Sequence, residues 1–367
     1  MSGIRGWCPG ALRPMESGDG WVVRVKPRGA MLSRDQAQGI ADAAERHGNG
    51  LIELTGRGNL QLRGVTPDSH APLIADLRAL DLIDPDIATE TRRSIIVTPF
   101  GGDATDALVR DLETALAASA LPLPAKFGFA VDTGAAPVLT QDPADIRIER
   151  AGSGLILRAD GMGYGVPFGS PQDAVALAGW FLERGGAIGG RGRMAALVAH
   201  GIAPRADIVA STAATPATPG PTPQGMLAGF EFGQVPPDTL RRLGRLGQLR
   251  LTPWRMMLVR GAGHLLPMPG LILTADDPRL RLRACPGSPR CAQAHAATRP
   301  LARDLAALVP QDAVLHVSGC AKGCGWPRAA DMTLTATPQG FDLIRHGCAH
   351  DVPALRGLHP DQLPKVL

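Results

Sequence analysis

The sequence is poor in aromatic side chains, with one Tyr, five Trp and eight Phe among 367 residues. A protein that grips nucleic acid by stacking bases on rings is therefore not expected. Lysine is scarcer still: Lys26, Lys126, Lys322 and Lys365 are all there are, beside 34 arginines and 34 acids. They form no basic run of the kind that binds nucleic acid. Long apolar stretches are also missing, none approaching the ~18–20 residues of a membrane span. Met1 to Met15 lacks the apolar core of a secretory signal. The expectation is a cytoplasmic protein with neither membrane nor nucleic-acid partner.

What is present is glycine and proline, 45 and 33 residues, in a chain that is 44% hydrophobic. That composition describes a turn-rich globular protein, and the length implies two or three domains. The arginine excess has two readings: a compositional bias, or a partner rich in carboxylates, which guanidinium grips bidentately. In a reducing compartment the six cysteines point to metal rather than disulfides.

Trp21 to Gly64 reads as strand, helix, strand. Ser33 and Gln36 form a capping box, Ala37, Ile40, Ala41 and Ala44 share one helical face, and Gly48 closes the helix. From Ile52 to Arg63 the apolar period becomes two, with Gly56 and Gly58 predicting a bent strand or hairpin. The unit returns 197 residues later: Leu54-Thr55 maps onto Leu251-Thr252 and Arg63-Gly64 onto Arg260-Gly261. At an offset of 186, Asp145, Gly154, Leu157 and Gly161 fall on Asp331, Gly340, Leu343 and Gly347, and at 187 Thr98-Pro99 falls on Cys285-Pro286. The order is thus A, B, A′, B′. Such a duplication favours a pseudo-two-fold body with A and A′ paired, B and B′ flanking; the competing reading is independent domains in tandem.

In B′, Cys285 and Cys291 give Cys-x5-Cys, and Cys320 and Cys324 give Cys-x3-Cys, with 28 residues between the pairs. Four thiolates are what a [4Fe–4S] cube requires, and the glycines around Cys320 and Cys324 let backbone N–H groups approach sulfur. Structural zinc competes, though it usually uses closer spacing. Unrelated buried thiols are the remaining alternative. Cys8 and Cys348 have no spaced partner and read as free thiols.

These paired motifs in a duplicated chain resemble the siroheme-dependent nitrite and sulfite reductases. The resemblance implies an α+β, pseudo-two-fold duplicated fold. Ferredoxin-like half-domains would lie at 1–75 and 226–276, an α/β domain without a cluster at 86–202, a linker at 203–225 and a [4Fe–4S] domain at 279–367. Cys285, Cys291, Cys320 and Cys324 would hold the cluster, with Cys324 bridging to siroheme iron where one is bound. Thr55-Gly-Arg57-Gly-Asn-Leu-Gln61 looks like the strand whose Arg and Gln face the tetrapyrrole, Arg93 like the arginine that meets its carboxylate or an anionic substrate, and Lys126 like one of two oxyanion-gripping lysines. The second lysine is replaced by Gly128.

That departure, a Trp-Cys-Pro-Gly-Ala-Leu-Arg-Pro-Met start at Trp7 to Met15, and a Leu-Thr-Pro-Trp-Arg strand at Leu251 to Arg255 are more similar to the precorrin-3B synthases of aerobic cobalamin synthesis. That resemblance implies O2-dependent hydroxylation of precorrin-3A with lactone formation. Arg57, Gln61, Arg93, Lys126 and Arg255 would position the substrate, and Trp254 would pack on the macrocycle. Electrons would come from an external reductase or ferredoxin, since no dinucleotide-binding loop is seen. A mononuclear non-haem iron is also implied, for which His47, His264, His295 and His316 are weak candidates. A siroheme reductase and a non-enzymatic iron–sulfur electron carrier remain as alternatives.

Overall fold

The computed structural model describes residues 9–215 and 217–367. The chain divides into two compact units. The first takes in Trp21–Gly229 and Gly233–Leu271 with the described residues up to Met15; the second takes in Glu16–Gly20, Phe230–Phe232 and Ile272–Leu367.

In the first unit the sequence pattern becomes a hairpin: Ile52–Leu54 and Leu60–Val65 pair antiparallel, with Ile52, Leu60 and Leu62 wholly buried. The capping box forms, Ser33 Oγ accepting from the Gln36 amide at 3.2 Å and Gln36 Oε1 from the Ser33 amide at 3.0 Å. It starts the helix Arg34–His47, whose Ala37, Ile40, Ala41 and Ala44 face the core.

Each half-domain lends a strand to the other. Gln234–Val235 pairs with Ile52–Leu54 of the first copy, and Met31–Leu32 pairs with Leu249–Leu251 of the second. The helices Arg34–His47 and Pro237–Leu246 pack together, and Arg241 of the second reaches Asp42 at 2.7 Å and Glu45 on the first. A and A′ are therefore paired, and the tandem alternative falls.

The flanking domain of the first unit carries a sheet in which Ile95–Val97, Phe129–Asp132 and Ile146–Ala151 run parallel. Gly154–Ala159 and Tyr164–Pro167 then follow antiparallel. In the second unit, Leu282–Ala284, Leu315–Ser318 and Ala330–Thr337 run parallel, followed antiparallel by Gly340–Gly347 and Leu355–Leu358. Matching bonds repeat. The Gly128 amide donates to Asp145 at 3.0 Å, and the Val314 amide, 186 positions on, donates to Asp331 at 2.8 Å. The core of the second unit joins Leu315, Val317, Leu334 and Leu343 to Phe232, a residue that the sequence reading had grouped with the second half-domain.

The stretch read as a linker is a correction. Ile208–Val209 pairs with Tyr164 and Gly165, the Ala214 amide donates to Pro137 at 2.7 Å, and Gly220–Thr222 pairs with Gly225–Leu227. Its Ala/Thr/Pro composition resembles a tether, but its main-chain groups find partners along the first unit.

Candidate functional site

The four spaced cysteines belong to the second unit. Because Leu282–Ala284 and Leu315–Ser318 run parallel, with Ala284 opposite Val317, the loops bearing Cys285 and Cys320 leave the same end of the sheet. The Gly319 amide donates to Cys285 Sγ at 3.1 Å, the kind of N–H···S bond that stabilises a thiolate. The loop through Cys291 is held by Ser288 N–H to Ala296 O at 2.9 Å and His295 N–H to Gly319 O at 2.8 Å. A Cβ at Gly319 would lie 2.6 Å from the Ala294 Cβ and one at Gly325 2.7 Å from the Cys285 amide, so both loops close only on glycine.

The Cys324 thiol is pushed up by partial burial and further by the sulfurs of Cys285, Cys320 and Cys291, while Lys322 pulls it down. The Cys324 thiol therefore feels the other three. Among the described residues no three His, Cys, Asp or Glu side chains converge tightly enough for a single ion. The donor set and its N–H···S bond fit the cube. Beside it, Trp326 is sandwiched between the guanidinium groups of Arg283 and Arg328, at 4.8 and 4.6 Å. Cys348 is in the turn after Gly340–Gly347, its amide bonded to Asp351 at 2.7 Å. Trp7 and Cys8 lie outside the described residues.

The first unit holds a small polar cleft whose free interior is about 20 Å³, room for about one water. Its walls include Arg13, Arg24, Lys26 and Arg57, with Ser94 and Asn59. In Gly20–Val25 the valines turn inward and Arg24 turns outward, where its Nη2 donates to Gln61 Oε1 at 3.0 Å. Arg57 extends from the hairpin turn, its Nη2 donating to the Lys126 carbonyl at 3.0 Å. Lys26 Nζ donates to the Glu90 carbonyl at 2.7 Å and to Ser94 Oγ at 3.2 Å. Burial lowers its pKa to about 8, with Glu90 opposing and Arg93 and Arg24 adding to the depression.

Gly128 is explained by this packing: a Cβ there would stand 3.0 Å from the Ser94 carbonyl and 3.4 Å from Arg57 Nη1. Arg57 occupies the space that the missing lysine would enter.

The structure thus gathers Arg57, Gln61 and the Lys126 segment, but it corrects other site expectations. Arg93 is 5% exposed. Its Nε and Nη2 clamp Asp84 at 3.0 and 2.8 Å, Nη2 also reaches the Lys26 carbonyl at 2.7 Å, and Nη1 faces Glu113 at 3.4 Å. A guanidinium so engaged holds the fold rather than a ligand. Trp254 donates from Nε1 to Asp142 Oδ2 at 3.0 Å and packs against the clusters around Ile96 and Leu258. Its ring belongs to the core seam. Arg255 lays its aliphatic stem over Gly233 from a backbone with φ of 61°.

Sequence reasoning missed Lys26, Arg24, Arg13 and Glu90. A lysine in so arginine-rich a chain, directly after a buried strand and before Pro27, was the available signal for Lys26.

Of the histidines suggested for iron, His47 pairs with Asp76 at 2.8 Å, His316 is fully buried in its strand, and His264 and His295 are exposed. Taken singly, none of these four histidines is shown with further ligands for a mononuclear iron among the described residues. Two carboxylates in the first flanking domain are unusual. Burial raises Asp132 to about 6, with Glu149 adding to it and the Leu139 and Val138 amides opposing; burial likewise raises Asp142 to about 6 against the Trp254 hydrogen bond. No helix among the described residues is long and apolar enough to cross a membrane.

Comparison with known proteins fits this geometry. The profile of the nitrite/sulfite reductase ferredoxin-like half domain matches residues 13–80. The Mycobacterium tuberculosis NirA protein superposes with a TM-score of 0.60 at 16% identity, over 94% of this chain and 79% of that one, which establishes the shared fold. A precorrin-3B synthase from a Sinorhizobium species is 30% identical over 95% of this chain and 84% of its own length. At that identity over that span, the chain belongs to the precorrin-3B synthase family.

Proposed function

We propose that the chain oxidises precorrin-3A with O2, placing a hydroxyl on the macrocycle and closing a lactone from one of its acetate side chains. The observation that carries this reading is the clustering of four cations, Arg13, Arg24, Lys26 and Arg57, around one small cleft in a member of the precorrin-3B synthase family. A macrocycle bearing several acetates and propionates offers each cation a carboxylate. Lys26, with its pKa near 8, stays largely protonated at neutral pH.

One atom of O2 becomes the hydroxyl and the other leaves as water, which consumes two electrons and two protons; the acetate carboxyl oxygen bonds to the adjacent ring carbon as the C=C bond between the two carbons opens, so no second water is lost. Cys285, Cys291, Cys320 and Cys324 would hold a [4Fe–4S] cluster, which would supply single-electron transfer. The ligand-bearing segments 283–303 and 313–330 contain Arg283, Arg290, Arg299, Arg303, Lys322 and Arg328 and no Asp or Glu. Of these, Arg290, Lys322 and Arg328 are exposed, and they suit an acidic external donor, a ferredoxin or a reductase, in the cytoplasm. No residue is assigned to a mononuclear iron. A siroheme reductase loses support from Gly128, which stands where its second oxyanion-gripping lysine is expected.

Anaerobic purification tests the reading. The expected result is iron and acid-labile sulfide near four each per chain, a visible spectrum without siroheme, and O2-dependent turnover of precorrin-3A. A siroheme spectrum with nitrite or sulfite reduction, and no precorrin turnover, overturns it.

A further inference from the structure

Glu90 is 5% exposed and takes no part in the reaction just described, yet the cleft is arranged around it. A carboxylate taken out of water costs several kcal/mol unless its oxygens find donors. Glu90 finds them in the main chain of another segment. The Ala11 amide donates to Oε1 at 2.7 Å and the Leu12 amide to Oε2 at 3.4 Å.

That segment is shaped to be held there. The Gly10 amide donates to the Arg13 carbonyl at 2.9 Å, closing a tight turn, and the Arg24 amide donates to Gly10 O at 3.2 Å. His70 Nε2 meets the Ala11 carbonyl at 2.9 Å. Gly10 sits so close to the carboxylate that a Cβ would lie 2.6 Å from Oε2. A larger residue there would push the carboxylate away from its amides. On its other side Glu90 gives its own carbonyl to Lys26 Nζ. One residue thus fixes both the turn that carries Arg13 and the neighbouring ammonium, and Pro9, Gly10 and Arg13 all line the cleft.

We propose that the Pro9–Arg13 turn is a clip for reading one acidic arm of the macrocycle, with Arg13 the specificity-determining residue and Glu90 and Gly10 the positioning residues that aim it. This rests on the tetrapyrrole reading for the identity of the ligand, while the clip itself rests on the Glu90 bonds. A cation carried on a separately anchored turn selects for where a carboxylate sits on the ring edge as well as for charge. Glu90 never touches substrate and acts through the Ala11 and Leu12 amides.

The test uses the holoenzyme with two ligands, precorrin-3A for turnover and uroporphyrin III, a stable octacarboxylate, for binding. Arg13→Gln should raise KM for precorrin-3A and Kd for uroporphyrin III about tenfold, the loss of one charge-assisted contact, with kcat and iron content little changed. Arg13→Lys should recover part of the loss. Glu90→Gln should raise hydrogen exchange at the Ala11 and Leu12 amides and shift KM the same way, and Gly10→Ala should mimic it. Unchanged KM and Kd in Arg13→Gln, with the parent active, overturn the clip and leave the proposed function standing. Uroporphyrin III binding that weakens in Arg13→Gln, in a parent that does not turn over precorrin-3A, supports the clip and overturns the oxygenase reading. Unchanged exchange at Ala11 and Leu12 in Glu90→Gln removes Glu90 from its positioning role.

Discussion

Thr55 and Thr252 stand 197 positions apart and make the same pair of bonds. Each hydroxyl accepts the amide two residues on, Arg57 at 3.2 Å in one turn and Trp254 at 3.3 Å in the other. Each amide donates to the carbonyl four residues on, Asn59 and Met256. Arg57 and Trp254 are therefore the same position of a repeated turn, put to different ends. The first copy sends a cation into the cleft; the second sends an indole into the core.

Arg93 should prove to be a stability residue. Arg93→Ala leaves Asp84 buried without its clamp, so unfolding free energy should fall by about 3–5 kcal/mol, read as a lower denaturant midpoint. Arg93→Lys should recover little, because an ammonium cannot span Asp84, Glu113 and the Lys26 carbonyl together. A fully stable Arg93→Ala protein with weakened tetrapyrrole binding would restore it to the ligand site.

Cys320→Ser should remove iron, sulfide and visible absorbance together with turnover, because one corner of the cube loses its thiolate. Cys348→Ser should leave iron content unchanged. Iron analysis of the two variants side by side separates ligand from bystander.

Gly128→Lys restores the reductase residue on paper and should not restore its chemistry. The new side chain meets the Ser94 carbonyl and displaces Arg57, so stability should drop by about 1–3 kcal/mol and KM for precorrin-3A should rise. Gain of sulfite or nitrite reduction in this variant would contradict the packing argument.

Asp132 gives the protein a pH signature. Its pKa is raised to about 6 by burial, above the unfolded value near 3.8. The folded state therefore binds the proton more tightly, and the stability it contributes is present below about pH 4 and lost as pH rises through 6. Asp132→Asn keeps an acceptor for the Val138 and Leu139 amides, both at 2.7 Å, without a charge to desolvate. Above pH 7 it should be more stable than the parent by on the order of 2 kcal/mol, with no gain at pH 4. Denaturant titrations at the two pH values read this directly.

The parts of this protein legible in the sequence are those written as spacing. The capping box, the hairpin, the repeat offsets and the cysteine pairs are fixed by intervals along the chain, and Asp145 and Asp331 keep equivalent bonds as the offset predicts. Arg57 is singled out through its place in the Thr-x-Arg-x-x-x-Gln pattern, and the structure puts it at a hairpin turn beside the cleft. Arg93 was not, since what decides its role is Asp84 and Glu113, packed onto it from segments with no periodic relation to it. Arg13 and Glu90, 77 positions apart, were hidden for the same reason. Trp254 misled because a core wedge and a stacking platform call for the same ring.

The reciprocal strands Met31–Leu32 and Gln234–Val235 have a consequence for ancestry. Neither half-domain completes its own sheet border, so either one expressed by itself would present an open, sticky margin. The two half-domains exchange strands as the subunits of a two-fold dimer would. Carriage on one chain lets the twins diverge in cargo while their mutual fit stays constrained, and only one flank here retains sulfur donors.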